Sequence, residues 1–195
     1  PPIVEFEALE PSHDAPPRIA VIERNARRIV VYDLKDESVM TSGDREAAFT
    51  VYGFPDPGRR NRAWAVVDIN GDGLTDVVSA DARANALAVF TQDAQGDLRA
   101  AESSPSLSEI DAIAVAQADD GPGELVVLST KEGVVGRLPL GNDELAFPTP
   151  LSLSSGFEPV AMNVVDISGA PHAAVVVNQK RNYQLDLINL ASDQT

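Results

Sequence analysis

Laid over itself with a shift of 98 residues, the chain repeats: "TDVVSADARANALAVF" (75–90) falls on "AAVVVNQKRNYQLDLI" (173–188) without a gap. Val77 meets Val175, Arg83 meets Arg181, Leu87 meets Leu185 and Val89 meets Leu187. The same shift lays Val67-Asp68-Ile69 on Val165-Asp166-Ile167 and Gly71 on Gly169. A shift of 58 brings "RIAVIERNARRIVVY" (18–32) onto the same template, with Phe6 under Trp64 and Glu10 under Asp68. A shift near 48 adds "AIAVAQADDGPGELVVL" (112–128) with one loop residue deleted. A repeat of this kind constrains the fold more than any composition does, because one unit cannot bury its own faces and must stack on its neighbours.

Each copy reads as short runs of Val, Ile, Leu and Ala broken by Gly, Pro, Asn, Asp and Ser, and no stretch holds a 3.6-residue apolar period for three turns. That pattern predicts strands and little helix. Four antiparallel strands in about 45–50 residues is the period of a propeller blade. The expectation is an all-β chain: one β-propeller-type domain over 1–195, with four-stranded antiparallel blades as repeats at 3–57, 62–107, 110–155 and 158–190. Inner strands are expected near 3–9, 63–68, 111–116 and 160–166, and outer strands at "EAAFTVYGF" (46–54) and "ELAFPTPLSL" (144–153). After "YQLDLINL" (183–190) only "ASDQT" remains, so the last copy lacks its outer strand. Such a set is either a closed four-bladed ring or part of a larger one, and an open ring exposes an apolar face that seeks a partner. A β-sandwich with chance similarity is the alternative.

Charge narrows the function. With 30 acidic against 15 basic residues the net charge is −15, which argues against nucleic acid or an anionic membrane as partner. No cysteine is present, which excludes disulfides, thiolate metal sites and cysteine nucleophiles. No apolar run reaches the roughly 20 residues that span a bilayer. The first residues are Pro1-Pro2 with no initiator Met, so a processed protein or a piece of a longer one is expected.

The densest chemistry lies in "VVDINGDGLTDVV" (66–78). Asp68, Asn70, Asp72 and Asp76 stand at positions 1, 3, 5 and 9 of a loop, with the Leu74 carbonyl at position 7. Ca²⁺ takes six to eight oxygens in flexible geometry, and alternate residues of a tight loop can supply them. Gly71 and Gly73 permit the positive φ that such wrapping needs. An EF-hand fails at position 12, where Ser79 replaces a bidentate Glu, and the flanking Val77-Val78 and "ALAVF" read as strands. A polar hairpin turn without metal is the alternative left open.

The strand–DxNGDGxxD–strand pattern of "AWAVVDINGDGLTDVVSAD" (63–81) resembles the FG-GAP/VCBS family of calcium-loop propeller repeats, found in integrin α-subunit heads and bacterial surface proteins. The resemblance implies Ca²⁺ held by Asp68, Asn70, Asp72, Leu74 (main chain) and Asp76. The other copies depart from the pattern. The first offers Glu10, Ser12 and Asp14 but has Arg18 in the last place. The third keeps Asp119, Asp120 and Glu124 out of register, which leaves them as a weaker second metal site. The fourth keeps Asp166 and Ser168 but has Ala170 and Ala174. One main calcium is therefore expected, in a structural role, since a closed oxygen loop leaves little room for an activated water.

His13 and His172 both align with first loops and read as satisfied or solvated loop histidines. "AESSPSLS" (101–108) reads as a connector. Arg59, Arg60 and Arg62, and Arg24, Arg27 and Arg28, form small basic clusters that could grip an anion but read as solvated loop charges. Trp64 reads as packing between blades. The function expected is a non-catalytic, calcium-stabilised binding or scaffold domain for protein or glycan recognition, secreted, periplasmic or on the cell surface. A polysaccharide-active lyase or hydrolase on the same scaffold is the alternative. A structural subunit completed by a partner chain or by self-association is the third reading.

Overall fold

A computed structural model describes residues 3–9, 18–23, 28–33, 49–53, 63–94, 96–117, 123–142 and 144–191. The described chain is all-β and contains no helix. Sheet 1 holds β1 (Ile3–Leu9), β2 (Arg18–Glu23), β3 (Arg28–Asp33) and β4 (Phe49–Gly53). Sheet 2 holds β5 (Trp64–Val67), β6 (Asp76–Asp81), β7 (Ala86–Phe90) and β8 (Glu102–Pro105). Sheet 3 holds β9 (Ala112–Ala116), β10 (Glu124–Ser129), β11 (Val134–Pro139) and β12 (Thr149–Pro150). Sheet 4 has three strands, β13 (Glu158–Ile167), β14 (Ala170–Gln179) and β15 (Asn182–Asn189). Within every sheet consecutive strands pair antiparallel, so each is a simple meander.

The sheets stack in chain order, and the alternation of side chains along each strand decides what meets what. Sheet 1 sends Leu9, Ala20, Ile29 and Val31 against Trp64, Val77, Ala88 and Phe90 of sheet 2. The opposite face of sheet 2, with Val67, Val78, Leu87 and Val89, packs on Leu125, Val127 and Leu138 of sheet 3. Val126, Leu128 and Val135 then meet Ala173, Val175 and Val177 of sheet 4. Middle strands are buried on both faces, which is why "TDVVSAD" and "ELVVLST" read as continuous apolar runs instead of alternating ones. Polar ties reinforce the seams: the Arg18 guanidinium reaches Asp97 at 3.2 Å and the Gly96 carbonyl, and Arg137 Nη1 donates to the Leu190 carbonyl at 3.1 Å.

Residues from the first strand of all four sheets line one cavity of about 250 Å³: Glu7 of β1, Ala65 and Val66 of β5, Ala114 and Val115 of β9, and Asn163 of β13. The first strands of the four sheets therefore border a common space.

Three expectations need correction. Residues 102–105 of the serine-rich "connector" form β8, the outer strand of sheet 2, paired with β7. Its Ser and Pro carry little strand propensity, but an edge strand needs only one paired side, and Pro is tolerated there. The fourth copy has no first loop: β13 runs to Ile167, and Ser168 and Gly169, both at positive φ, turn the chain straight into β14. His172 therefore sits in β14 opposite Val165, not in a loop, with Nδ1 2.9 Å from the Ala170 carbonyl oxygen.

Candidate metal loop at the rim of sheet 2

The β5–β6 connection keeps its full length because its side chains bond to its own backbone. Gly71 N–H donates to Asp68 Oδ1 at 2.7 Å, and Gly73 N–H donates to Asp68 Oδ2 at 2.8 Å. Asp72 N–H donates to Asn70 Oδ1 at 3.0 Å, and Leu74 N–H to Asp72 Oδ1 at 2.8 Å. These are the local side-chain-to-amide bonds by which Asp and Asn pull a chain out of a ladder and into a turn. Gly71 and Gly73 have φ of 82° and 83°, so the wrapping uses the left-handed region that glycine reaches without strain. Asp68, Asn70 and Asp72 all lie in this one exposed turn, and Asn70 Nδ2 donates to Asp72 Oδ2 at 3.1 Å.

Asp76 differs from the other three. It opens β6 and is fully buried. Its Oδ2 accepts the Ile69 amide at 2.9 Å and its Oδ1 accepts the Gln92 amide at 2.7 Å. One carboxylate thus ties the loop's second residue to the chain leaving β7. Burial pushes its pKa up, the Gln92 and Ile69 amides pull it down, and the charges of Asp72 and Asp68 push it up again, leaving it above the ordinary aspartate value. No Lys or Arg among the described residues forms an ion pair with Asp68, Asp72 or Asp76. The loop is also fixed from the side, since the N–H of Gly141, in the bend just past β11, donates to the Ile69 carbonyl at 2.7 Å.

In kind, three carboxylates, an amide oxygen and the Leu74 carbonyl suit a hard cation, and among the described residues the carboxylates have no basic ion-pair partner. In placement, the oxygens are turned to loop amides. Among the described residues no three acidic or histidine side chains are gathered as a metal cage. Each amide occupies one lone pair on an oxygen that carries another, so the set can serve backbone and cation together.

Glu10, Ser12, Asp14, His13, Asp119, Asp120, Arg24, Arg27, Arg59, Arg60 and Arg62 lie outside the described residues. Glu124, the third member of the weaker site, begins β10 and faces Arg137 at 3.8 Å. Burial raises its pKa and the Arg137 charge lowers it, with burial the larger effect. Arg18, in the place of the last acid of the first copy, spans to the β7–β8 connection. Asp166 caps only the Gly169 amide, at 2.9 Å. Trp64 is buried between sheets 1 and 2. What sequence reasoning missed is the backbone side of the site: the Ile69, Gln92 and Gly141 amides carry no residue-type signal, and only the depth of the Val77-Val78 run hinted that the acid before it would be buried.

No family model matches the chain, and comparison with curated proteins finds no match.

Proposed function

We propose that the chain is a non-catalytic binding or scaffold module: a propeller-type array of FG-GAP/VCBS-like blades whose second blade is pinned by Ca²⁺, working outside the cytoplasm on a protein or glycan ligand. The supporting architecture is the repeated meander, the serial stacking of sheets, and the cavity shared by the four inner strands. The observation that carries the calcium reading is the β5–β6 loop itself. It places Asp68, Asn70, Asp72 and Asp76 within nine residues at the rim, and its acids form no ion pair with a described basic side chain.

Asp68, Asn70, Asp72, Asp76 and the Leu74 carbonyl would hold the ion, and the ion would supply the positive charge against which these carboxylates stay ionised. Asp68 shapes the turn through the Gly71 and Gly73 amides. Asp76 holds β5 to the end of β7 through the Ile69 and Gln92 amides. These are structural tasks, and they are why the acids read as a clasp and not as a general acid and base. Millimolar Ca²⁺ outside the cell suits a single loop without a bidentate Glu at position 12.

Thermal unfolding in EDTA against millimolar Ca²⁺ tests this. A ligand present at 100 times its Kd stabilises by about 2.7 kcal/mol, so Tm should rise, and Asp72→Ala should abolish the response. A wild-type Tm that ignores Ca²⁺ sinks the calcium reading. A glycan array run beside a polysaccharide depolymerisation assay tests the rest, and release of oligosaccharide would overturn the non-catalytic part.

A further inference from the structure

Two of the three seams between sheets are crossed by an arginine of the chain itself. Between sheets 1 and 2, Arg18 reaches the Asp97 carboxylate at 3.2 Å and the Gly96 carbonyl. Between sheets 3 and 4, Arg137 lies 3.8 Å from Glu124 Oε2 and donates to the Leu190 carbonyl at 3.1 Å. Both side chains are largely buried, at 12% and 15% exposure. Each guanidinium thus takes one carboxylate and one main-chain carbonyl, a set that suits a rigid fork of donors on an apolar stem.

The seam between sheets 2 and 3 differs: it holds a cleft of about 250 Å³, and none of the described residues lining that cleft is basic. β7 and β11 correspond at a separation of 48 residues, which sets Val89 in the place of Arg137 and Leu87 in that of Val135. The neighbouring outer strands differ as well. Ser104 pairs with Leu87 and is small, whereas Leu151, whose N–H donates to the Val135 carbonyl at 2.8 Å, packs into the seam of sheets 3 and 4. Glu102 stands on the same face as Ser104, at the outer end of a cross-strand row made by Val78, Val89 and Glu102. Ile69, Val89 and Leu145 give the cleft apolar walls, and Glu102 and Glu144 give it two carboxylates. Among the described residues neither glutamate forms an ion pair. The Leu145 carbonyl accepts the Ser104 hydroxyl at 3.0 Å and keeps a second lone pair.

We infer that this cleft takes an arginine side chain from a protein partner. The cleft offers what the chain's own two seam arginines use, a carboxylate and a main-chain carbonyl, beside apolar walls that suit a methylene stem. Its size suits one side chain, since pockets for whole small molecules run from roughly 300 to 1,000 Å³. A guanidinium fits better than an ammonium, because its planar fork meets a carboxylate and a carbonyl together. The long-range field agrees: at −15 the chain draws a basic segment and repels an acidic one. β8 is the last strand of its sheet, so an extended segment carrying the arginine has an edge to lie along. This assignment names the class of partner for the binding module proposed above and rests on that reading, but not on calcium.

Titrating the whole chain in EDTA with acetyl-arginine amide, and following backbone amide chemical shifts, tests this. Amides of residues 102–104 and 144–145 should move and approach saturation at about millimolar probe, as suits a single side chain. Acetyl-citrulline amide, the neutral isostere, should leave them in place. Glu102→Gln combined with Glu144→Gln changes two exposed side chains and should weaken binding about tenfold or more. Ser104→Leu, which fills the cleft as Leu151 fills its own seam, should abolish the movement. No movement of these amides at about 10 mM arginine probe overturns the inference. So does equal movement with the citrulline probe, undiminished binding by the double glutamine variant, or movement confined to the 68–76 loop. Release of oligosaccharide in the depolymerisation assay would sink the non-catalytic reading and leave these shifts as they are, so the two failures are told apart.

Discussion

The β5–β6 loop and the β13–β14 turn stand at the same place in their repeats, and one is an eight-residue polar loop while the other is two residues long. Both begin with Val-Asp-Ile, and both have an Asp capping a glycine amide three residues on, Asp68 to Gly71 and Asp166 to Gly169. The two diverge beyond that glycine. Asp72 and Asp76 in the first are Ala170 and Ala174 in the second. Without acids to hold amides outside the ladder, residues 165–172 pair with one another, Val165 opposite His172 and Asp166 opposite Pro171. In sheet 2 the corresponding strand stops pairing at Val67 opposite Asp76. The lesson is energetic: a polar loop survives at this position only if its own side chains replace the ladder bonds it gives up.

Asp76 should carry the largest share of that difference. Asp76→Asn keeps the shape but turns one acceptor into a donor, leaving the Ile69 or the Gln92 amide buried against an N–H. The expected loss is about 1–3 kcal/mol of unfolding free energy, read from urea denaturation in EDTA. A loss within error of zero would break the account of why the loop exists. A smaller effect should separate the glycines. Gly73→Ala, at φ 83°, should cost about 1 kcal/mol, whereas Ser168→Gly, at φ 57°, should gain a few tenths, since the turn already holds a side chain in the left-handed region. Shifts of midpoint in opposite directions would sharpen the contrast, and two losses would blur it.

The smallest effect concerns pH. Asp76 titrates above the ordinary aspartate value of 3.8, chiefly through burial. In the calcium-free chain its contribution is therefore fully present below 3.8 and lost as pH rises through the raised value. A cation binds the ionised form, so the Ca²⁺-induced rise in Tm should shrink as pH falls through that raised value, earlier than an exposed aspartate would allow. A Ca²⁺ response that stays constant down to pH 3.8 would contradict it.

Much of this architecture was legible in the residues, for identifiable reasons. The middle strands announced themselves because burial on both faces forces unbroken apolar runs, as at Val77-Val78 and Leu125-Val126-Val127. The inner strands emerged from the repeat register, and β13 matches its expected span to within two residues at each end. Outer strands were the hardest to read. β8 is made of Glu, Ser and Pro, and β12 has two residues, because an edge far from the core asks little of side chains. At the site, the acids and glycines were visible by spacing, but the burial of Asp76 and its grip on Gln92, 16 residues on, depend on a hairpin closing over it. Ala170 and Ala174 signal the collapse of the fourth loop, because an acid missing there is a missing loop-former as well as a missing ligand.

The serial order of the sheets has a consequence for how the molecule comes apart. Sheets 2 and 3 are clamped on both sides, whereas among the described residues sheets 1 and 4 each pack on a single neighbouring sheet. Opening then proceeds inward from the ends, and amide exchange should be slowest at Val77–Val78 and Leu125–Val127 and fastest along β15. Such a chain has no centre that must form before the rest; it has two innermost neighbours that hold longest, like the middle links of a short zip.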